Sequence, residues 1–455
     1  MAEVQGALRE LSRGATGSES LRYVESSNSA TPLNPALMRL TASRRVLLLQ
    51  GPVGPFFDRL TKWLSNRGSE VRRVAFQAGD EFDCGATRPI RFTATLDEWP
   101  SFFSNLLDQL ATDCVVLFGQ SRRYHQDALT IAKARGIAVV VMEEGYFRPG
   151  FGTMELDGVN GYSSTLYRYT WRTEAMGADS FSAAEAHGIQ PDVSPWHFQK
   201  MAWHAARHYV ALWRRRADYP HYEHHRIESP FHYAVYWVRS WIRKLLLRGP
   251  QSRLQADLFK GDSMYFMVPL QVEGDSQLVH HSAFGKNPEF ISEVLLSFAR
   301  HAPAASLLVF KEHPHSRGGP GYEKTVRTIA RDLGISDRIR YLIEGDTPAL
   351  AEHSAGVVLI NSTVGLQALE RGAPLMVMGD ALYDQPKLTF QAELDEFWVK
   401  RQPPDPEMSK LFLAQLKNLT QVSASLYAMA SEPLSWNPQV PVAADIQDAQ
   451  SAYVC

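Results

Sequence analysis

Cysteine is scarce in this 455-residue chain: Cys84, Cys114 and Cys455 are all it has. An odd count without metal-ligand spacing excludes a disulfide framework and a structural zinc site, and it fits a reducing compartment. A terminal Cys is also not a prenylation box, which needs its Cys four residues from the end. Net charge is nearly absent, with Lys+Arg 47 against Asp+Glu 49. A general nucleic-acid binder carries a basic footprint, so nucleic acid is not an expected partner. No apolar run approaches the ~20 residues of a membrane-spanning helix. Residues 1–40 lack a basic start followed by an apolar core, so no signal peptide is expected and the predicted location is cytoplasmic. Asp-x-Asp after a strand, His-Glu-x-x-His, Cys-x-x-Cys and the Gly-Lys-Ser/Thr of a phosphate loop are missing too, and no metal or other cofactor is expected.

Apolar residues are plentiful, at 45%, enough for the cores of two or three domains. Residues 1–43 read as a disordered leader, with a short helix near 4–11. From 44 to 180 short apolar runs alternate with helical periods. The runs are 45–50, 70–76, 114–118 and 136–142, which predicts a parallel, doubly wound domain. Gly51 and Gly54 punctuate the turn after the first run. That turn is either a place where backbone approaches a ligand or a plain strand-to-helix connection. Arg122 and His125 follow the third run. Glu143 and Glu144 end the fourth, where catalysis sits in such sheets. Strand side chains alternate, so one carboxylate faces the site and the other pairs with a cation such as Arg148 or caps a turn. Residues 151–164 read as a long loop.

Residues 181–253 change character. Aromatics and cations interleave at 203–216 and 231–248, as on helices lying on an anionic membrane; an ordinary helical subdomain is the other reading. Gly249-Pro250 reads as a linker. A second α/β domain is predicted over 254–430, and 431–455 as a tail. Two doubly wound domains flanking a cleft, with a helical insertion, define a GT-B-like α/β fold class.

Two loops of the second domain carry the chemistry. Lys311-Glu-His313-Pro314-His-Ser-Arg317 follows the strand at 306–310. Asn361-Ser362-Thr363-Val-Gly365-Leu-Gln367 follows the strand at 356–360 and opens a helix. Cations, an imidazole, hydroxyls and helix-start N–H groups suit a phosphate. The expectation is that Ser362 and Thr363 hold a phosphate that His313 and Lys311 meet from the neighbouring loop. His313 would stabilise a leaving phosphate or act as general acid. A histidine that merely fixes the loop is the other reading.

Taken together, Leu-Gln-Gly-Pro-Val-Gly-Pro-Phe-Phe (49–57), Phe-Gly-Gln-Ser-Arg (118–122), Glu-Glu-Gly-Tyr-Phe-Arg-Pro (143–149), Val-Pro-Leu-Gln (268–271), Lys-Glu-His-Pro (311–314), Asn-Ser-Thr-Val-Gly-Leu (361–366) and Tyr-Asp (383–384) resemble the bacterial capsule polysaccharide biosynthesis/export family of KpsS type, related to the KpsC type. The resemblance implies a retaining β-Kdo transferase. Such an enzyme takes Kdo from CMP-Kdo and starts a linker on a lysophosphatidylglycerol-type lipid at the cytoplasmic face of the inner membrane, alongside capsule biosynthesis and export proteins. It also implies that His313-Pro314 and Ser362-Thr363 hold CMP, with Lys311, Asn361, Gly365 and Gln271 around them. Gln367 stands where relatives often have a ribose-gripping Glu. Glu144, where related members often have Asp, would be the nucleophile. Because donor and acceptor are anionic, Arg122, His125, Arg148 and Arg317 become candidate binding residues. The rival readings are a non-catalytic assembly or export component, a transferase with another nucleotide sugar, and a sugar-nucleotide epimerase.

Overall fold

The computed structural model describes residues 34–436, apart from 86–87, 148, 166–195, 224–229, 262, 273–281 and 435. The expected helix near 4–11 and Arg148 lie outside the described residues.

The first domain opens with helix α1 (Pro35–Ala42), strand β1 (Arg45–Leu48), α2 (Phe56–Ser65), β2 (Glu70–Ala75), the short α3 (Ala78–Phe82) and β3 (Ile90–Arg91). It continues through α4 (Trp99–Gln109), β4 (Cys114–Phe118), α5 (Arg123–Ala134), β5 (Ala138–Glu144) and β6 (Phe151–Leu156). Helices α6 (His197–Arg214) and α7 (Pro230–Lys260) follow. The second domain contains β7 (Tyr265–Pro269), α8 (Asn287–His301), β8 (Leu307–Lys311), α9 (Glu323–Asp332), β9 (Ile339–Leu342), α10 (Thr347–Glu352), β10 (Gly356–Leu359), α11 (Val364–Glu370) and β11 (Leu375–Val377). Then come α12 (Leu394–Lys400), α13 (Pro406–Thr420) and β12 (Gln421–Ser423).

The two sheets run β12-β6-β5-β4-β1-β2-β3 and β11-β10-β7-β8-β9. Within each, the first strand lies inside, the next two extend one way and the following two the other, all parallel. Both are therefore doubly wound, as the alternation of apolar runs and helical periods predicts. Their faces are covered on both sides, so alternate residues of β7 serve opposite cores: Phe266 and Val268 one, Tyr265 and Met267 the other. That double burial explains why these strands read as continuous apolar runs.

Four local expectations are corrected. The leader does not extend to 43: α1 buries Ala36, Leu37 and Leu40 in the first core. Asn34 caps it, accepting from Ala36 and Leu37 N–H at 2.9 and 3.0 Å, while its Nδ2 donates to the Met154 carbonyl at 3.0 Å. Residues 151–156 are not loop but β6, antiparallel to β5. The turn residues that suggested a loop are confined to its end, where Asp157 and Asn160 adopt positive φ. Gly249-Pro250 is not a linker, since α7 runs through it. The helix persists because its later half is docked: Leu258 is buried, and Gln251 Oε1 accepts from both Ile343 and Glu344 N–H at 2.6 Å. These contacts offset the ladder bond a proline removes. Lastly, the chain returns to the first sheet before its tail. β12 pairs with β6, and Trp436 packs edge-on to Trp63 at 5.2 Å. Arg59 ties this return down through the Ser425 and Glu432 carbonyls at 2.7 and 2.6 Å.

Candidate functional site

In a doubly wound sheet the loops on either side of the reversal in strand order diverge, and ligands bind in the crevice they leave. In the second sheet that point lies between β7 and β10. Gln271, two residues past β7, and Asn361, just past β10, meet there: Gln271 Nε2 donates to Asn361 Oδ1 at 2.9 Å, and both are buried. Asn287, the first residue of α8, donates from Nδ2 to the Gln271 carbonyl at 2.9 Å. Ser362 and Thr363 follow Asn361 and are half-buried. Ser362 Oγ accepts from Val364 N–H at 3.3 Å, and its carbonyl accepts from Gly365 N–H at 2.9 Å and from the Tyr383 hydroxyl. Gly365 is obligatory, because a Cβ there would lie 2.5 Å from the Tyr383 ring. Tyr383 therefore backs the whole Ser362 turn. Three amide oxygens, Gln271 Oε1, Asn287 Oδ1 and Gln367 Oε1, are buried and accept no hydrogen bond among the described residues. Such acceptors are costly unless something donates to them.

The loop after β8 is organised differently from expectation. β7 stands between β8 and β10, so the His313 and Ser362 loops are two strand spacings apart, about 10 Å. They are not neighbours: the sheet grows outward from β7 in both directions, and Gln271 sits between the two loops. Lys311 is only 3% exposed, and its ammonium donates to the Glu312 and Ile343 carbonyls at 2.9 and 3.1 Å. Burial pulls it down to about 8. Arg317 pairs with Glu344. Both cations are thus engaged with the protein, and they shape the loop. Glu312, also buried, accepts from Tyr341 Oη at 2.8 Å, and burial raises its pKa. Pro314 opens the short turn after His313 and is exposed. His313 is half-buried, and its Nδ1 accepts from His315 N–H at 3.1 Å. An imidazole accepting at Nδ1 carries its proton on Nε2, the form that donates to an anion.

In the first domain Glu143 and Glu144 lie on opposite faces of β5. Glu143 Oε2 accepts from Asn160 Nδ2 at 2.8 Å, which fixes the turn after β6. Glu144 Oε1 accepts from the Tyr427 hydroxyl at 3.3 Å. Both are half-buried. Glu155 on β6 shares the Glu143 face, because it stands opposite Val141. It is wholly buried, accepts from Tyr146 Oη at 2.9 Å and from the Ser163 hydroxyl, and burial lifts it to about 7. Tyr146 is fixed at both ends, since its N–H donates to Gln421 Oε1 at 2.9 Å. Tyr146 belongs to the 143–149 motif, whereas Glu155 lies in the stretch expected to be loop. The signal for Glu155 was its period-two spacing from Thr153, which puts both on one face of a strand.

The other described first-domain candidates make contacts within the protein. Arg122 Nη1 donates to the Gly51 carbonyl at 3.1 Å. A Cβ on Gly51 would lie 2.8 Å from the Phe57 ring, and one on Gly54 3.1 Å from the His204 ring. Gly54 N–H donates to Asp83 Oδ2 at 3.0 Å. His125 is fully buried, with Nδ1 2.8 Å from the Gly119 carbonyl. The plain-connection reading of the Gly51–Gly54 turn is the one this packing favours.

Two doubly wound sheets, with the chain returning from the second to the first, make this a GT-B-like α/β protein. The sequence matches the family described as "Capsule polysaccharide biosynthesis protein" over residues 113–427. It is 36% identical to the capsule polysaccharide export protein KpsS of Escherichia coli, covering 86% of this chain and 99% of that protein. It is 35% identical to the capsule polysaccharide modification protein LipB of Neisseria meningitidis, covering 87% and 94%. The chain belongs to this capsule polysaccharide biosynthesis family. Among solved structures, a Thermosulfurimonas dismutans KpsC β-Kdo 2,7 transferase superposes at TM-score 0.38 with 11% identity, covering 82% of this chain and 90% of that one. A likeness that loose adds nothing to the functional argument.

Proposed function

We propose that the protein is a retaining β-Kdo glycosyltransferase. It moves Kdo from CMP-Kdo to a lysophosphatidylglycerol-type lipid at the cytoplasmic face of the inner membrane, and so begins the linker on which capsular polysaccharide is built and exported. The observation that carries this reading is the second switch point. Gln271 Oε1 and Asn287 Oδ1, buried and without donors among the described residues, lie at the Gln271–Asn361 pair, beside the Ser362-Thr363 hydroxyls. That is a bed for a ligand with both phosphate oxygens and N–H groups, as a cytidine nucleotide has. Family membership supplies the capsule context.

In this mechanism Glu144 attacks the anomeric carbon of Kdo. The C–O bond to CMP breaks, and its electron pair leaves on the phosphate. His313 Nε2–H hydrogen-bonds the departing oxygens, while Ser362 and Thr363 bind the phosphate from the other side of β7. The acceptor hydroxyl then displaces Glu144 and passes its proton to the released CMP phosphate, and two inversions give retention. Glu143 holds the Asn160 turn and so positions Glu144. Lys311 and Arg317 shape the His313 loop. CMP release from CMP-Kdo with a lysophosphatidylglycerol acceptor tests the reading, with wild type beside Glu144→Gln and His313→Ala. Acceptor-dependent turnover lost in both variants is expected. A folded wild type that binds CMP without turnover would sink the transferase and leave a non-catalytic assembly component.

A further inference from the structure

Helix α7 has two unlike faces. Its inner face is fastened to the His313 loop. Arg243 Nη1 donates to the Arg317 and Gly319 carbonyls at 2.7 and 2.9 Å, and the Tyr236 hydroxyl donates to the His315 carbonyl. Gly318 lies so close that a Cβ would come 2.5 Å from the Tyr236 carbonyl. Its outer face is apolar and exposed: Val235, Val238, Trp241, Ile242, Leu245 and Leu246 are each 50–70% accessible. At 100° per residue these six span one side of the helix, opposite Tyr236, Ser240, Arg243 and Leu247. Exposed Arg239, Lys244 and Arg248 flank that stripe, and residues 230–256 contain no Asp or Glu. No helix among the described residues is long and apolar enough to cross a membrane.

We propose that α7 is a bilayer-docking helix: its Trp- and Leu-rich outer face enters an anionic lipid surface, while its inner face holds the His313 loop against that surface. Charge selects the occupant. A symmetric pairing of two copies through this face would set Arg and Lys rows against each other with no carboxylate between them. Anionic headgroups neutralise those rows, and the apolar stripe takes the depth at which Trp and Leu settle in an interface. The inference deepens the lipid-acceptor reading by saying how the site meets its lipid. Docking itself is measured without any sugar nucleotide, so the two fail separately.

The test is co-sedimentation of the full chain with vesicles of phosphatidylcholine containing phosphatidylglycerol, against phosphatidylcholine alone. Binding to the anionic vesicles is expected, and it weakens about tenfold or more in high salt. The triple variant Trp241→Ser/Leu245→Ser/Leu246→Ser should bind about tenfold more weakly at an unchanged Tm, as should Lys244→Glu/Arg248→Glu. Val399→Ser, which alters another exposed apolar side chain, should change nothing. Vesicle binding that survives the triple substitution overturns the proposal. So does salt-insensitive binding, or a wild-type dimer that the triple substitution dissolves.

Discussion

Both sheets place their first strand inside and reverse direction beside it, yet the two switch points are furnished differently. At the first, between β1 and β4, the chain supplies its own partners. Arg122 spans the reversal to the Gly51 carbonyl, and Gly54 N–H goes to Asp83. His208 Nδ1 pairs with Asp83 at 2.7 Å; burial opposes its charge, but Asp83 outweighs burial and holds the pKa up. Asp80 is raised by burial and takes Gln50 Nε2. At the second, between β7 and β10, Gln271 Oε1 and Asn287 Oδ1 are buried without a donor among the described residues, as Gln77 Oε1 is in the first network, but here the neighbouring Ser362 and Thr363 hydroxyls stand half-exposed. One topology thus carries a cross-braced turn at one point and half-exposed hydroxyls beside buried acceptors at the other. The difference lies in side chains and not in strand order.

The sharpest way to break this contrast is at His313. His313→Ala should lower kcat/KM for CMP release by about 10²- to 10⁴-fold, ~3–5 kcal/mol of barrier, with Tm nearly unchanged. A fall in Tm with activity retained would make the residue a brace like those of the first domain.

Glu155 ranks next. Its folded pKa of about 7 lies above the ordinary 4.5, so the folded state binds the extra proton. Stability is therefore fully present below about pH 4.5 and is lost as pH rises through 7, by at most ~3 kcal/mol. Glu155→Gln should flatten that part of the urea stability-versus-pH curve. An unchanged slope would mean that Glu155 is ionised in the fold.

Gly54→Val comes third, because φ is +104° and His204 fills the Cβ side. It should cost ~1–3 kcal/mol in chemical denaturation and leave CMP affinity alone. A loss of CMP affinity in the folded variant would restore the ligand role of that turn. The smallest effect is expected from Tyr383→Phe, which removes the hydroxyl behind Ser362. CMP binding should weaken by ~1 kcal/mol, several-fold by calorimetry.

Much of the fold was legible because doubly buried strands are unbroken apolar runs: Val139, Val140, Val141 and Met142 are all fully buried. The loops that follow them announce themselves by polarity and glycine. Adjacency was not legible. Lys311 looked like a phosphate ligand because nothing local says that β9 closes over it and offers the Ile343 carbonyl. Long-range pairings stayed hidden for the same reason. Gln421-Val-Ser is too short to read as a strand, and Trp436 belongs to a core assembled some 370 residues earlier, around Trp63. The helix through Pro250 defied a sound local rule, because docking on the second domain overrides a proline's preference. Glu143, Glu144, His313 and Ser362 could be singled out as candidates by residue type and position. The contacts they make were not legible: Asn160 on Glu143, Tyr383 on Ser362 and, from 283 residues away, Tyr427 on Glu144.

On the proposed function, the second switch point and not the first holds the nucleotide. Calorimetric titration of CMP into wild type, Ser362→Ala/Thr363→Ala and Arg122→Ala decides it. Affinity should fall at least about tenfold in the double variant and stay within about twofold of wild type in folded Arg122→Ala. Loss of CMP binding in Arg122→Ala, with the double variant binding normally, would contradict it.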